Sequence, residues 1–151
     1  MISQDIILNG VCTLLASSTA ITTVCGAAGR IVKGSKRPDG LPNPCLTVNV
    51  PNMGLPGGWW GGQNALVRTQ TGAVVIVAFC DLYANGAINA TQLATMTTAV
   101  GSLLASSKPT ITGANVHRVG DFLLSGPLYD PQDPQEAYAV VQVGLWINET
   151  S

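Results

Sequence analysis

The sequence predicts an α+β fold, a mostly antiparallel β-sheet of about four to six strands with two helices packed on one face. Three observations carry this expectation. The stretch Gly72–Asp81, GAVVIVAFCD, is apolar from Ala73 to Cys80 and rich in β-branched residues, which favours a strand. It shows little alternation, so it reads as buried on both faces, with helices on one side and another sheet or subunit on the other. Alternating segments lie before and after it, and two stretches of helical period, beginning near Ser3 and Asn89, stand far apart in the chain. Parallel βαβ repeats would need more helices than that.

Length and composition narrow the function. At 151 residues the chain is of a size for one domain, residues 1–151. Hydrophobic residues make up 46% and charged residues 10%, the latter far below the usual level of about 25%. So neutral a surface is explained if partners cover much of it, the preferred reading, or if the chain is a secreted or stable small protein. Seven basic and eight acidic residues give a net charge of −1 with no basic stripe, which argues against direct, sequence-specific nucleic-acid binding. The opening MISQDIILNG has no basic stretch and carries Asp5 within its apolar part, unlike a secretion signal. No apolar run approaches the roughly 20 residues of a membrane span. Cys12, Cys25, Cys45 and Cys80 form no CxxC pair and each lies in or beside an apolar run. Buried free thiols are the expectation, with no metal site.

The elements follow in order. Ser3–Ser17 has the period of an amphipathic helix, with Ser3 as cap, Asp5 in the first turn, and Ile7, Val11, Leu14 and Leu15 on one face. Gly10 weakens its middle slightly. Ala20–Cys25 forms a second short turn stopped by Gly26, and Arg30–Val32 a short strand. Gly34–Pro44 is a turn-rich loop. In Cys45–Val50, Leu46, Val48 and Val50 share one face and Cys45, Thr47 and Asn49 the other, as in a half-buried strand that Pro51 closes. The glycines and prolines of PNMGLPGGWWGG, Pro51–Gly62, forbid a regular element. Asn64–Gln70 alternates again, Gln70-Thr71-Gly72 marks a bend or bulge, and a long hairpin joins Cys45–Val50 to the Asn64–Cys80 region. Asn85-Gly86 turns the chain toward the strongest helix, Asn89–Ser106, whose stripe is Leu93, Met96, Val100, Leu103 and Leu104. Asn89 and Gln92 resemble a capping box. Ala114–Val119 is a strand with Val116 and Arg118 on one face and His117 and Val119 on the other. Gly120–Asp133 is a shorter strand with a polar turn, and Ala137–Ile147 a long final strand.

No residue set builds a reaction centre. The glycine loop lacks the Lys-Ser/Thr ending and following helix of a phosphate-binding loop. His117 has no acid or cysteine at triad or ligand spacing, and reads as a sheet residue. Asp130 and Asp133, either side of Pro131, have no EF-hand spacing. The expectation is no enzyme, no catalytic residue, no cofactor and no metal. Trp59 and Trp60, between two glycine pairs, either fold back onto the core or project to a neighbour as aromatic anchors, with the assembly contact preferred, and Arg68 on the next segment is grouped with them as a contact residue.

Several segments together resemble the tail terminator, or tail completion, proteins of long-tailed bacteriophages. They are LLASSTAITTVCG at the end of the first helix, the strand at Arg30-Ile31-Val32, LPNPCLTVNV at Leu41–Val50, and the strand pair around Val67–Phe79. The helix ATQLATMTTAVGSLLA at Ala90–Ala105 follows, then HRVGDFLL at His117–Leu124, joined through PLYDPQDPQEAYAVVQVGLWI to the final strand. The likeness is one of pattern over nearly the whole chain; the GGWWGG loop and the low charge depart from it. It implies a structural virion protein, assembled in the bacterial host cytoplasm. Such a protein forms a homo-oligomeric ring, six-fold in the family, at the head-proximal end of the tail tube. It ends tube polymerisation and meets the tail tube protein on one side and the head–tail connector or stopper protein on the other. Other neck and tail-tube subunits share this scale and mix of elements.

Overall fold

The computed structural model describes residues 2–54, 69–81, 83, 84, 87–130 and 133–149. Its elements are α1 (Gln4–Ser17), α2 (Thr19–Cys25), a 3-10 turn (Ala28–Arg30), β1 (Ile31–Lys33), β2 (Cys45–Gly54), β3 (Thr69–Asp81), β4 (Tyr83–Ala84), β5 (Ala87–Ile88), α3 (Ala90–Ser106), β6 (Ala114–Asp130) and β7 (Asp133–Glu149). Five strands form one sheet in the order β1-β2-β3-β7-β6. Only β1–β2 is parallel; the other three pairings are antiparallel. The expected α+β class holds, with the third helix, α2, growing from what the sequence suggested was a short turn.

Ser3 caps α1 by accepting from the Ile6 amide, and Lys33 reaches Asp5 in its first turn at 2.8 Å. Ile7, Val11 and Leu15 recur every four residues on the buried face of α1. They share one core with Ile21 and Cys25 of α2, the stripe Leu93, Met96, Val100 and Leu104 of α3, and one face of the sheet. That face is Leu46, Val48 and Val50 of β2, Val74, Ile76, Ala78 and Cys80 of β3, and alternate residues Ala137 to Ile147 of β7. Asn89 is the N-cap of α3, but its side chain donates to Gln92 Oε1 at 2.7 Å instead of capping the backbone. Near the start of the chain the buried Gln70 amide accepts from Ile2 N at 2.9 Å and donates to Ile2 O at 2.8 Å. Both halves of a buried amide are thereby satisfied.

Several local expectations are corrected. Pro51 does not close β2. The strand runs on to Gly54 with one extra residue between Asn49 and Asn52, opposite Val75 and Ala73. The bulge accommodates a residue with no N–H to give to the ladder. Gln70–Gly72 contains no bend: β3 pairs with β7 in unbroken register from Thr69 to Asp81. Cys45 and Thr47 are buried on the face expected to be wetter, because the Gly34–Pro44 loop folds over it and seats Leu41 against Cys45, Val77 and Phe79. In β6 a bulge at His117 puts Val116 opposite Ile147 and Val119 opposite Leu145, so both valines pack on the core while Arg118 turns to the other face. The segment beyond Gly120 is no separate short strand; β6 continues to Asp130 through two further one-residue shifts and a larger one, on the β7 side, between Tyr129 and Asp130. β4 and β5, unforeseen, pair as a small hairpin flanking Asn85-Gly86, which lies outside the described residues.

Candidate functional site

The side chains that could do chemistry are mostly spent on structure. The Gly34–Pro44 loop is pinned across the end of the sheet by Arg37, whose Nε lies 2.7 Å from Glu136 Oε2 and whose Nη1 donates to Leu41 O at 2.7 Å. Asn43 donates to Asp81 Oδ1 at 3.1 Å, and Arg30 donates to Asn43 O at 3.0 Å. Beneath the loop is an open cleft of about 350 Å³, floored by Val77, Phe79 and Tyr138 and rimmed by Lys36, Arg37, Asp39 and Glu136. Phe79 and Tyr138 stand with ring centroids 6.0 Å apart. Of the two carboxylates at the rim, Glu136 is held by Arg37, and the described lining offers no nucleophile paired with a base.

The cysteines are free. Burial pushes the thiols of Cys25 and Cys80 up to about 11 and that of Cys45 up to about 12, and raises Cys12 as well. Raised thiols are poor nucleophiles and poor ligands at neutral pH. Among the described residues no group of three or more His, Cys, Asp or Glu could hold a metal ion. His117 is exposed, and its carbonyl oxygen accepts from Lys108. The side chains of Asp130 and Asp133 fall outside those described. No single helix among the described residues is long and apolar enough to cross a membrane.

What the structure does present is an apolar edge. Strand β6 ends the sheet opposite β1. Phe122, Leu123, Leu124, Leu128 and Tyr129 on it are between 39% and 62% exposed, and they are the exposed large hydrophobic residues among those described. Scattered apolar side chains at a surface mean little, whereas five within eight residues of one edge strand, on both of its faces, mark a candidate contact edge. Sequence reasoning missed this set by treating the region as a short strand and polar turn. The signal was available: FLLSGPLY, residues 122–129, carries no charge and five large apolar side chains in eight positions. Beside it, Arg118 lies over the Trp146 ring, 4.1 Å from the centroid, and reaches Asp121 at 3.2 Å. Of the contact residues expected from sequence, Trp59, Trp60 and Arg68 all lie outside the described residues.

No protein-family profile and no curated protein matches the chain. Among solved structures, it is similar to a chain from the virion of a native gene transfer agent particle, with a TM-score of 0.59 at 13% identity. The match covers 94% of this chain and 94% of that one, so the two share their fold nearly end to end.

Proposed function

We propose that this protein is a structural subunit of the tail or neck of a phage-like particle, acting by assembly and not by catalysis. The observation that supports this best is the match to a virion chain over 94% of both chains. A correspondence of that extent is not the sharing of one common helix–sheet fragment. The apolar edge on β6 and the 10% charge content point the same way, because both suit a surface covered by other subunits. The virion likeness alone favours a structural subunit of such a particle without choosing its place, and the tail or neck comes from the sequence resemblance. The sequence resemblance favours a narrower role, a tail terminator. In that role the chain closes into a six-fold ring on the head-proximal end of the tube, ends its growth, and meets the head–tail connector or stopper. A closed ring needs a head-to-tail contact between different surfaces of successive copies.

Native mass measurement with electron imaging tests both levels. Rings of about six copies are the expected result for a terminator. Long tubes would replace that role with a tube subunit. A chain that stays monomeric and also fails to add to purified tail tubes would sink the structural reading, since a partner surface can otherwise drive assembly by mass action.

The tryptophans provide a second prediction. Trp59 and Trp60 sit among Gly57, Gly58, Gly61 and Gly62, and ordering so many glycines costs backbone entropy that a partner contact can offset. Aromatic anchors at interfaces carry about 2 kcal/mol or more each. Replacing both with Ser is expected to leave the melting temperature of the dilute subunit nearly unchanged and to abolish ring formation or tube capping. A sharp fall in melting with normal assembly of the folded fraction would make them core residues instead.

A further inference from the structure

The exposed apolar residues of β6 do not stand alone. Helix α3 runs beside them, and its 17 residues include no ionisable side chain. Thr98, Gly101 and Ala105 of α3 face Phe122, Leu123 and Leu124 of β6 across a groove of about 360 Å³. A smaller hollow of about 140 Å³, with Ala94, Leu124 and Pro127 in its walls, lies between the same two elements. Both hollows run along the flank of α3 beside the exposed apolar residues of β6, and an exposed apolar strip next to an uncharged helix marks an interaction site.

We propose that this α3–β6 groove is where a second copy of the chain docks. The inference rests on the self-assembling role proposed above and names the surface it uses. Charge argues for the occupant. Neither the α3 wall nor residues 122–129 carry an ionised group, so an ionic partner would lose its hydration there without compensation. Nucleic acid and anionic lipid would meet no cation in the groove. The docked surface must itself be poor in charge, and this chain, at 10% charged residues, supplies such a surface where an ordinary domain at about 25% does not. The form of the contact also follows. β6 is an edge with main-chain groups facing outward, but register shifts between Gly120 and Leu123 and between Ser125 and Leu128 break its ladder. A neighbour cannot simply extend the sheet along this stretch; it packs side chains into the groove.

Gly101 makes the test clean. A Cβ added there meets no described atom within 4 Å, and a helix interior prefers almost any residue to glycine. Gly101→Leu is therefore expected to melt no lower than wild type as a dilute subunit while blocking the groove. Leu124→Ser, at the most exposed apolar position of the strip, removes the apolar wall without disturbing the core. Native mass and sedimentation of the full chain are followed up to the highest soluble concentration, with Thr13→Ala on the exposed side of α1 as control. The expected result is self-association of wild type and control, weakened at least about tenfold by either groove variant. If wild type assembles and a folded Gly101→Leu or Leu124→Ser assembles equally well, the groove is wrong and the structural role stands. If wild type never associates, alone or on tail tubes, both fall. Should Gly101→Leu melt lower than wild type, Leu124→Ser alone decides.

Discussion

Gly10→Ala is expected to destabilise the protein by about 2–3 kcal/mol, although the same change in an isolated helix is worth roughly 1 kcal/mol in the opposite direction. Gly10 sits fully inside α1, where α1 crosses the segment leading into β6. An added Cβ would stand 2.5 Å from Thr110 O and 2.6 Å from Ile111 Cδ1. The isoleucine tip has some freedom, but Ile111 is itself buried, and the carbonyl oxygen is main chain and has none. Accommodation requires α1 to lift, which loosens the packing of Ile7 and Val11 on the sheet. Urea unfolding measures it directly, and for a chain of this size the melting temperature should fall by about 5–10 °C. Gly101→Ala serves as the opposite case, because its Cβ enters open space; a gain of up to about 1 kcal/mol is expected. Equal effects at the two glycines would mean that α1 does not lie against Thr110 and Ile111.

The contrast between those glycines marks what the sequence could reveal. Both read as weak points in helices, and nothing local separates them. What separates them is a contact between residues one hundred positions apart. The same division runs through the fold. Period and composition suffice for α1, α3, the Cys45–Val50 part of β2, the apolar run of β3 and most of β7, because each is organised by its own apolar residues. Ile7, Val11 and Leu15 illustrate that, as do Leu93, Met96, Val100 and Leu104. The errors fall where a neighbour decides. Cys45 and Thr47 are buried because a loop folds over them, and periodicity carries no information about loops. One extra residue at His117 reverses the facing of Arg118 and Val119, since a strand's side chains alternate with period two. The apolar edge at residues 122–129 was hidden by its own irregularity: Gly126, Pro127 and successive bulges look like a turn, yet β7 holds the segment as strand. The tryptophan loop was legible as unusual composition, and its placement lies outside the described residues.

Raising the pH from 8 to 10 is expected to remove about 4 kcal/mol of stability, through three thiols rather than through the surface charges. Burial, the largest cause in each case, holds Cys25 and Cys80 at about 11 and Cys45 at about 12, against an ordinary value of 9.0. For Cys80 the carboxylates of Asp81 and Glu136 add to the rise. In the unfolded chain these thiols ionise near pH 9; in the folded chain they keep their protons well beyond it. Above the unfolded value the folded state therefore binds more protons, and stability falls as pH rises. The contribution is fully present below pH 9 and is lost progressively until the folded values of about 11 to 12 are reached. One unit above the unfolded value, each thiol accounts for about 1.4 kcal/mol, and three together approach the whole stability of many domains, about 5–15 kcal/mol. Urea midpoints at half-unit steps from pH 7 to 10.5 measure the slope. Cys45→Ala should reduce that slope by about one third over pH 9–10, which assigns the effect to thiols and not to lysine or tyrosine. Thiol counting under denaturing, non-reducing conditions should find all four cysteines free, and in the native protein below pH 8 their reaction should be slow. Two or fewer free thiols, or a midpoint that holds level to pH 10, would overturn the account.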